Sequence, residues 1–189
     1  STSWERINRT KDTEGKEKTT KAAVVALLDK EPAASLVSSS WRCSAVAIAQ
    51  CPEEGSYRII AGSRESSGRV AFQVKVWDIL DVRPVLAGAP EEERPPPPRI
   101  SLRFSLGGHS GPVVCAAIAQ NSLVGATAGD DLGILVWDLK RGKLRVTVAD
   151  AHSKQVKCIA LTPNGNWGMS CSWDKTVKFW DLFKGKCVA

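Results

Sequence analysis

The chain holds two histidines, and each is followed by the same set of reactive side chains. His152 precedes Ser170 and Asp174, and His109 precedes Thr127 and Asp131 at the same spacing. A hydroxyl, an imidazole and a carboxylate are the parts of a hydrolase triad. There the imidazole takes the hydroxyl proton and the carboxylate orients the ring. That chemistry also needs an open nucleophile and an oxyanion hole. A buried hydrogen-bonded staple uses the same three groups. The residues around them decide between the two readings.

Two tryptophans complete the pattern. The stretch "SCSWDKTVKFWD", residues 170 to 181, ends in Trp180-Asp181, and "TAGDDLGILVWD", residues 127 to 138, ends in Trp137-Asp138. One shift of 43 residues aligns Thr127 with Ser170, Asp131 with Asp174, Trp137 with Trp180 and His109 with His152, without a gap. The same shift sets Val113 on Val156, Cys115 on Cys158 and Ile118 on Leu161. A spacing of about 40–45 residues is the period of a propeller repeat. On these residues, 106–148 and 149–189 resemble consecutive WD40 repeats, with Ala151 where the family usually has Gly. A weaker copy lies upstream. "VKVWD" at 74 to 78 ends like a blade strand, and "CSAVAIAQ" at 43 to 50 echoes "VCAAIAQ" at 114 to 120. This copy has no histidine at the expected place and ten more residues between its Gln and Trp.

The resemblance implies an all-β fold of four-stranded antiparallel blades, here a partial propeller of about three. It also implies two structural tetrads: His109, Thr127, Asp131 and Trp137, then His152, Ser170, Asp174 and Trp180. The Trp N–H donates to the hydroxyl, the hydroxyl to the imidazole, and the imidazole to the carboxylate, so every buried polar atom has a partner. A hydroxyl that accepts a Trp N–H inside a sheet has neither an open face nor an oxyanion hole. The expectation is therefore that the chain is not an enzyme and has no catalytic residues. Between blades, first strands should be buried on both faces. Val113, Cys115, Ala117 and Ala119 alternate with Val114, Ala116 and Ile118, which are also apolar.

Composition fits a globular domain with an ordinary apolar content of 43%. No apolar run reaches the ~18 residues that span a bilayer. The first residues, "STSWERINRTKDTEGKEK", are polar and mixed in charge, so no secretory leader is expected there. The six cysteines include no CxxC, and Cys115 and Cys158 are repeat equivalents. Core-facing free thiols are expected, with no metal and no cofactor. Reduced thiols imply an intracellular protein, taken first as cytoplasmic, with nucleus and organelles open. Glycine-rich phosphate loops and paired catalytic carboxylates are not evident.

The segments divide as follows. Residues 1–21 form a polar extension. Residues 22–105 form a degenerate first blade, preceded by an outer strand at "AAVVALL", for which a helix is the alternative. Its Pro-rich loop spans 84–99. Residues 106–148 and 149–189 are the two repeats, the second cut short in its last strand. Propellers usually close with 4–8 blades. The chain is therefore expected to be completed by further sequence or by another chain.

The net charge of +6 is uneven: residues 139–189 carry ten Lys/Arg and three Asp/Glu. Such a patch suits an acidic protein, RNA or lipid headgroups, while its aromatic interleaving is thin. Trp173 stands on the turn before Asp174, where the earlier repeat has Asp130. In the family this turn faces partners, so Trp173, Lys154 and Lys175 are the candidate partner contact. Two function classes follow: a protein-interaction scaffold in a larger assembly, or a ribonucleoprotein subunit that contacts RNA through the basic last blade.

The proline segment yields a first test. Deleting Glu91 to Pro98 interrupts no strand pattern, and shortening a loop costs little. The deleted chain should express in soluble form with an unchanged melting midpoint by circular dichroism. Insoluble protein would place the segment within the folded blade.

Overall fold

Short apolar runs broken by Gly, Asn and Asp turns bury themselves by stacking as sheets. The computed structural model describes residues 42–64, 72–83 and 96–189, and there the chain is all-β. No helix among these residues is long and apolar enough to cross a membrane. The strands form three four-stranded antiparallel sheets. The first holds β1 (Cys43–Gln50), β2 (Tyr57–Ser63), β3 (Phe72–Leu80) and β4 (Arg99–His109). The second holds β5 (Val113–Ile118), β6 (Val124–Gly129), β7 (Ile134–Asp138) and β8 (Lys143–Val148). The third holds β9 (Val156–Leu161), β10 (Trp167–Ser172), β11 (Val177–Asp181) and β12 (Lys186–Cys187). Each is a simple meander, with sequence neighbours paired in space.

The core lies in two layers. Between the first and second sheets, Ile60, Val74 and Val76 pack with Val113, Leu135, Trp137 and Leu139. Between the second and third, Ala126, Ala128, Ile134 and Val136 pack with Val156, Ile159, Trp180 and Leu182. The middle sheet is thus buried on both faces, and every residue of β6 is buried. The small side chains Ala126 and Ala128 allow that close stacking.

The third sheet is different. Its inner face carries Val156, Ile159, Ser170 and Trp180, all buried. Its outer face carries Trp167, Met169 and Val177, which are 37%, 49% and 61% exposed. The Trp167 ring stacks on Phe179 at 5.4 Å between centroids. Forty-three residues earlier, the matching Val124, Ala126, Ile134 and Val136 lie buried under the third sheet. Cys158 is also on the outer face. It is exposed, whereas its equivalent Cys115 is buried, so the expectation of two core thiols holds only for Cys115.

Two boundaries need restating. The sequence division at 105/106 cuts β4, which continues to His109 and pairs with β3 as far as Phe72. The repeat in the sequence starts one strand earlier than the sheet it leads into. Arg99, counted with the Pro-rich loop, opens β4, and Pro96–Pro98 lead into it. The polar extension, the strand or helix within 11–31 and most of the Pro-rich loop lie outside the described residues.

Each sheet also carries one β-bulge in its first strand. Pairing skips Ser44 in β1, Val114 in β5 and Lys157 in β9. A bulge bends the strand and re-aims the extra side chain. Ser44 uses it to donate its hydroxyl to the carbonyl of Val113 in the second sheet.

An arginine held in a buried ion pair of the first sheet reaches across to the second. Arg58 is 8% exposed. Its Nε donates to Asp78 Oδ1 at 2.7 Å, and its Nη1 donates to the Ser122 carbonyl at 2.8 Å. Ser122 sits in the β5–β6 turn with φ of 55°. Arg103 pairs with the other Asp78 oxygen at 2.7 Å. Removing one partner of a buried pair is destabilising. Because Arg103 would still hold Asp78, Arg58→Ala should cost about 3 kcal/mol, the low end for such pairs. Urea unfolding of the full chain reads this directly. An unchanged midpoint would mean that the sheets hold together without the pair.

Candidate functional site

The residues singled out by the repeat gather into two hydrogen-bonded chains. In the first, Trp137 Nε1 donates to Thr127 Oγ1 at 2.7 Å. Thr127 Oγ1 meets His109 Nε2 at 2.7 Å, and His109 Nδ1 meets Asp131 Oδ2 at 2.6 Å. In the second, Trp180 Nε1 donates to Ser170 Oγ at 2.7 Å. Ser170 Oγ meets His152 Nε2 at 2.7 Å, and His152 Nδ1 meets Asp174 Oδ2 at 2.8 Å.

Proton directions follow from donor capacity. An indole N–H only donates, so each hydroxyl accepts there and is free to donate to Nε2. Nε2 then accepts, and the ring proton lies on Nδ1, pointing at the carboxylate. Every link is a matched donor and acceptor.

The strands explain the placement. The hydroxyl stands on the second strand of its sheet, opposite a residue two before the tryptophan: Thr127 pairs with Leu135, and Ser170 with Lys178. The carboxylate stands on the following turn. The histidine arrives from the previous sheet, His109 at the end of β4 and His152 on the segment after β8. The tetrads therefore bind the strand pair of one blade to the segment arriving from the blade before.

The two chains differ at one atom. Asp174 Oδ1 accepts the Thr176 hydroxyl at 2.6 Å and the Thr176 amide at 2.9 Å. The residue matching Thr176 is Gly133, which has no hydroxyl. Asp131 Oδ1 is buried there without a partner. Burial works to raise the Asp174 carboxyl. The hydrogen bonds from Thr176, His152 and the Ser153 amide outweigh it and hold the group well below the ordinary carboxylate range.

This geometry cannot run a hydrolase. Thr127 is 0% and Ser170 2% exposed, and each hydroxyl oxygen already accepts an indole proton. Among the described residues, no three His, Cys, Asp or Glu side chains are placed to hold a metal ion. Burial pushes the Cys115 thiol up to about 12, which keeps it protonated.

The aspartate after each tryptophan has a separate role. Asp138 Oδ1 accepts the amides of Lys140 and Arg141, both at 3.0 Å. Asp181 Oδ1 does the same for Phe183 and Lys184, both at 3.0 Å. Each closes the turn into the fourth strand. In the first sheet Asp78 binds arginines instead, and Ala61 stands in register where the other sheets have the hydroxyl.

Trp173 is 62% exposed on the β10–β11 turn. Its amide donates to the Gln155 carbonyl at 3.1 Å. The cation over its ring is Lys157, with Nζ 4.1 Å from the centroid. Lys157 also donates to Gln155 Oε1 at 2.6 Å, and Gln155 Nε2 donates to Asp130 of the second sheet. Lys154 takes part through its carbonyl, which accepts the Ser172 hydroxyl at 2.9 Å. Lys175 holds the left-handed turn position, with φ of 70°, and its side chain is exposed. Lys157 was the residue to find. It is the bulged residue of β9, and nothing in side-chain type announces a bulge.

Comparison with known families agrees with this layout. The family model described as WD domain, G-beta repeat, matches residues 100–138 and 143–181. Each match starts in the fourth strand of one sheet and ends at the Trp-Asp pair of the next. A search of curated proteins finds no match.

Two outcomes are expected of the tetrads. His152→Ala leaves the Ser170 hydroxyl and the Asp174 carboxylate short of a buried partner. It should lower unfolding stability by about 1–3 kcal/mol, read by urea denaturation. An unchanged midpoint would show that the tetrad does not form. Acid should act through the carboxylates. Asp174 and Asp78 both titrate lower when folded, Asp78 because its arginine pairs outweigh burial. Their contribution is present above the unfolded value of about 3.9 and is lost as pH falls through the folded values. Thermal midpoints should therefore drop below about pH 4, and Asp174→Asn should flatten that drop. A slope unaltered by the substitution would remove Asp174 from the account.

Proposed function

Because residues 100–138 and 143–181 are WD40 repeats folded into adjoining blades, we propose that the chain is a non-catalytic interaction scaffold, one subunit of a larger assembly. WD40 repeats serve protein interaction generally. The observation that supports a particular contact is Trp173, a large ring left 62% exposed beside a rigid tetrad, with Lys157 stacked on it. Tryptophan is enriched among binding hot spots, and the lysines around it add positive charge for an acidic partner. We assign Trp173, Lys154, Lys157 and Lys175 to the recognition of an acidic protein segment.

The outer face of the third sheet supports membership in a larger ring. Its Trp167, Met169, Val177 and Phe179 match in register the four residues of the second sheet that the third sheet covers. We propose that a further blade, from more of the same polypeptide or from another chain, covers this face. All six cysteines are free, which fits our placement of the protein in the reducing interior of the cell, the cytoplasm first.

Titration of the full chain with a fluorescently labelled Asp/Glu-rich peptide tests the Trp173 contact. Trp173→Ala should weaken binding by about 2 kcal/mol while leaving the melting midpoint nearly unchanged. Lys157→Glu should weaken it as well. A variant that loses stability but keeps affinity would show that Trp173 packs the fold and that partners bind elsewhere.

A further inference from the structure

The basic excess of residues 139–189 concentrates at the end of the sheets opposite Trp173. Two of the three acidic groups in this stretch are already occupied: Asp174 by the tetrad and Asp181 by its own turn. The β7–β8 turn carries Lys140 and Arg141, and Lys143 opens β8 directly after it. The β11–β12 turn carries Lys184, and Lys186 opens β12. Both turns lie beside the turns that join the first and second strands: the Leu139 amide bonds the Leu123 carbonyl, and the Leu182 amide the Asn166 carbonyl, each at 2.9 Å.

The turns also dock sideways on the previous sheet. Gly185, at φ of 67°, lies against Val146 of β8, where a Cβ would meet Val146 Cγ1 at 2.7 Å. This brings Phe183 under Arg145, with the guanidinium 5.1 Å from the ring centroid. One sheet earlier, Gly142 lies against Phe104 of β4, and Arg103 covers the Phe104 ring at 5.2 Å. An arginine thus lies on a phenylalanine beside both turns, but Phe104 packs against the core and Arg103 also holds Asp78, so the open ring is Phe183. In the sequence these groups are scattered, and only the fold gathers the cations around Phe183.

Phe183 is 67% exposed. Among the described residues, Lys140, Lys143, Arg145 and Lys186 have no carboxylate partner within salt-bridge distance. We propose that this rim binds single-stranded nucleic acid, with phosphates on the lysines and a base stacked on Phe183. An exposed ring set among cations suits a strand in which a base lies between phosphates. An acidic peptide would use the charges without needing the ring. A lipid surface would call for a broader apolar area than Phe183 and Leu144 provide. The site is independent of the Trp173 contact, which lies on the turn at the other end of β11.

Fluorescence anisotropy of the full chain with labelled oligouridylate, across a salt series, tests the proposal. Binding should weaken steeply with salt. The double variant Lys143→Ala, Lys186→Ala should reduce the slope of log affinity against log salt by about 1.4, from about 0.7 per single-strand phosphate. Phe183→Ala should weaken binding about tenfold and leave the slope unchanged. Trp173→Ala should have no effect. The proposal is overturned by absent binding at low salt, or by polyglutamate binding as strongly with no dependence on Phe183. Binding to phosphatidylserine vesicles but not to oligouridylate would overturn it too.

Discussion

The hydroxyl of Thr127, and that of Ser170, has to satisfy two buried groups at once. An indole N–H can only donate, and burying it without an acceptor costs free energy on the scale of a lost hydrogen bond. The hydroxyl accepts that proton and passes its own to an imidazole, which passes another to a carboxylate. The histidine comes from the preceding sheet, so one chain of four groups fixes the strand pairing and the docking of the arriving segment together. Small residues on the faces, such as Ala126 and Ala128, then let the sheets stack closely.

The first sheet meets the same need without those groups. Ala61 stands in the hydroxyl position, and both histidines of the chain serve the later sheets. Its connection to the second sheet runs instead through Arg58, Asp78 and the Ser122 carbonyl, with Ser44 reaching Val113 from its bulge. An ion pair at this depth needs its full set of hydrogen bonds, and Arg103 supplies one of them. The aspartate after the tryptophan shows the same substitution. Asp138 and Asp181 cap turns, while Asp78 anchors arginines.

The repeat was legible because its members are side chains fixed in register. A shift of 43 residues carries the partners of Trp137 onto those of Trp180, and the strands follow from the turns between them. What escaped the sequence depends on the backbone or on distant neighbours. Lys157 reaches Trp173 because β9 bulges there, and a bulge is a pairing irregularity rather than a residue type. The pair of Arg58 and Asp78 joins positions that share no motif. Whether Cys158 is buried depends on what covers its face, and its repeat equivalent Cys115 could not supply that. The Phe183 and Arg145 stack joins the β11–β12 turn to β8 of the sheet before, brought together by Gly185.

The most direct test of the tetrad is the position of its protons. The free imidazole generally favours the proton on the other ring nitrogen, so the direction of the chain leaves a mark on each ring. Nitrogen-15 NMR of the uniformly labelled full chain at neutral pH should show both His109 and His152 protonated at Nδ1 and unprotonated at Nε2. Their Nδ1 protons should be slow to exchange with solvent. Two rings carrying the proton on Nε2, or exchanging freely with water, would mean that the hydroxyls do not bridge tryptophan to histidine and that some other interaction holds the blades together.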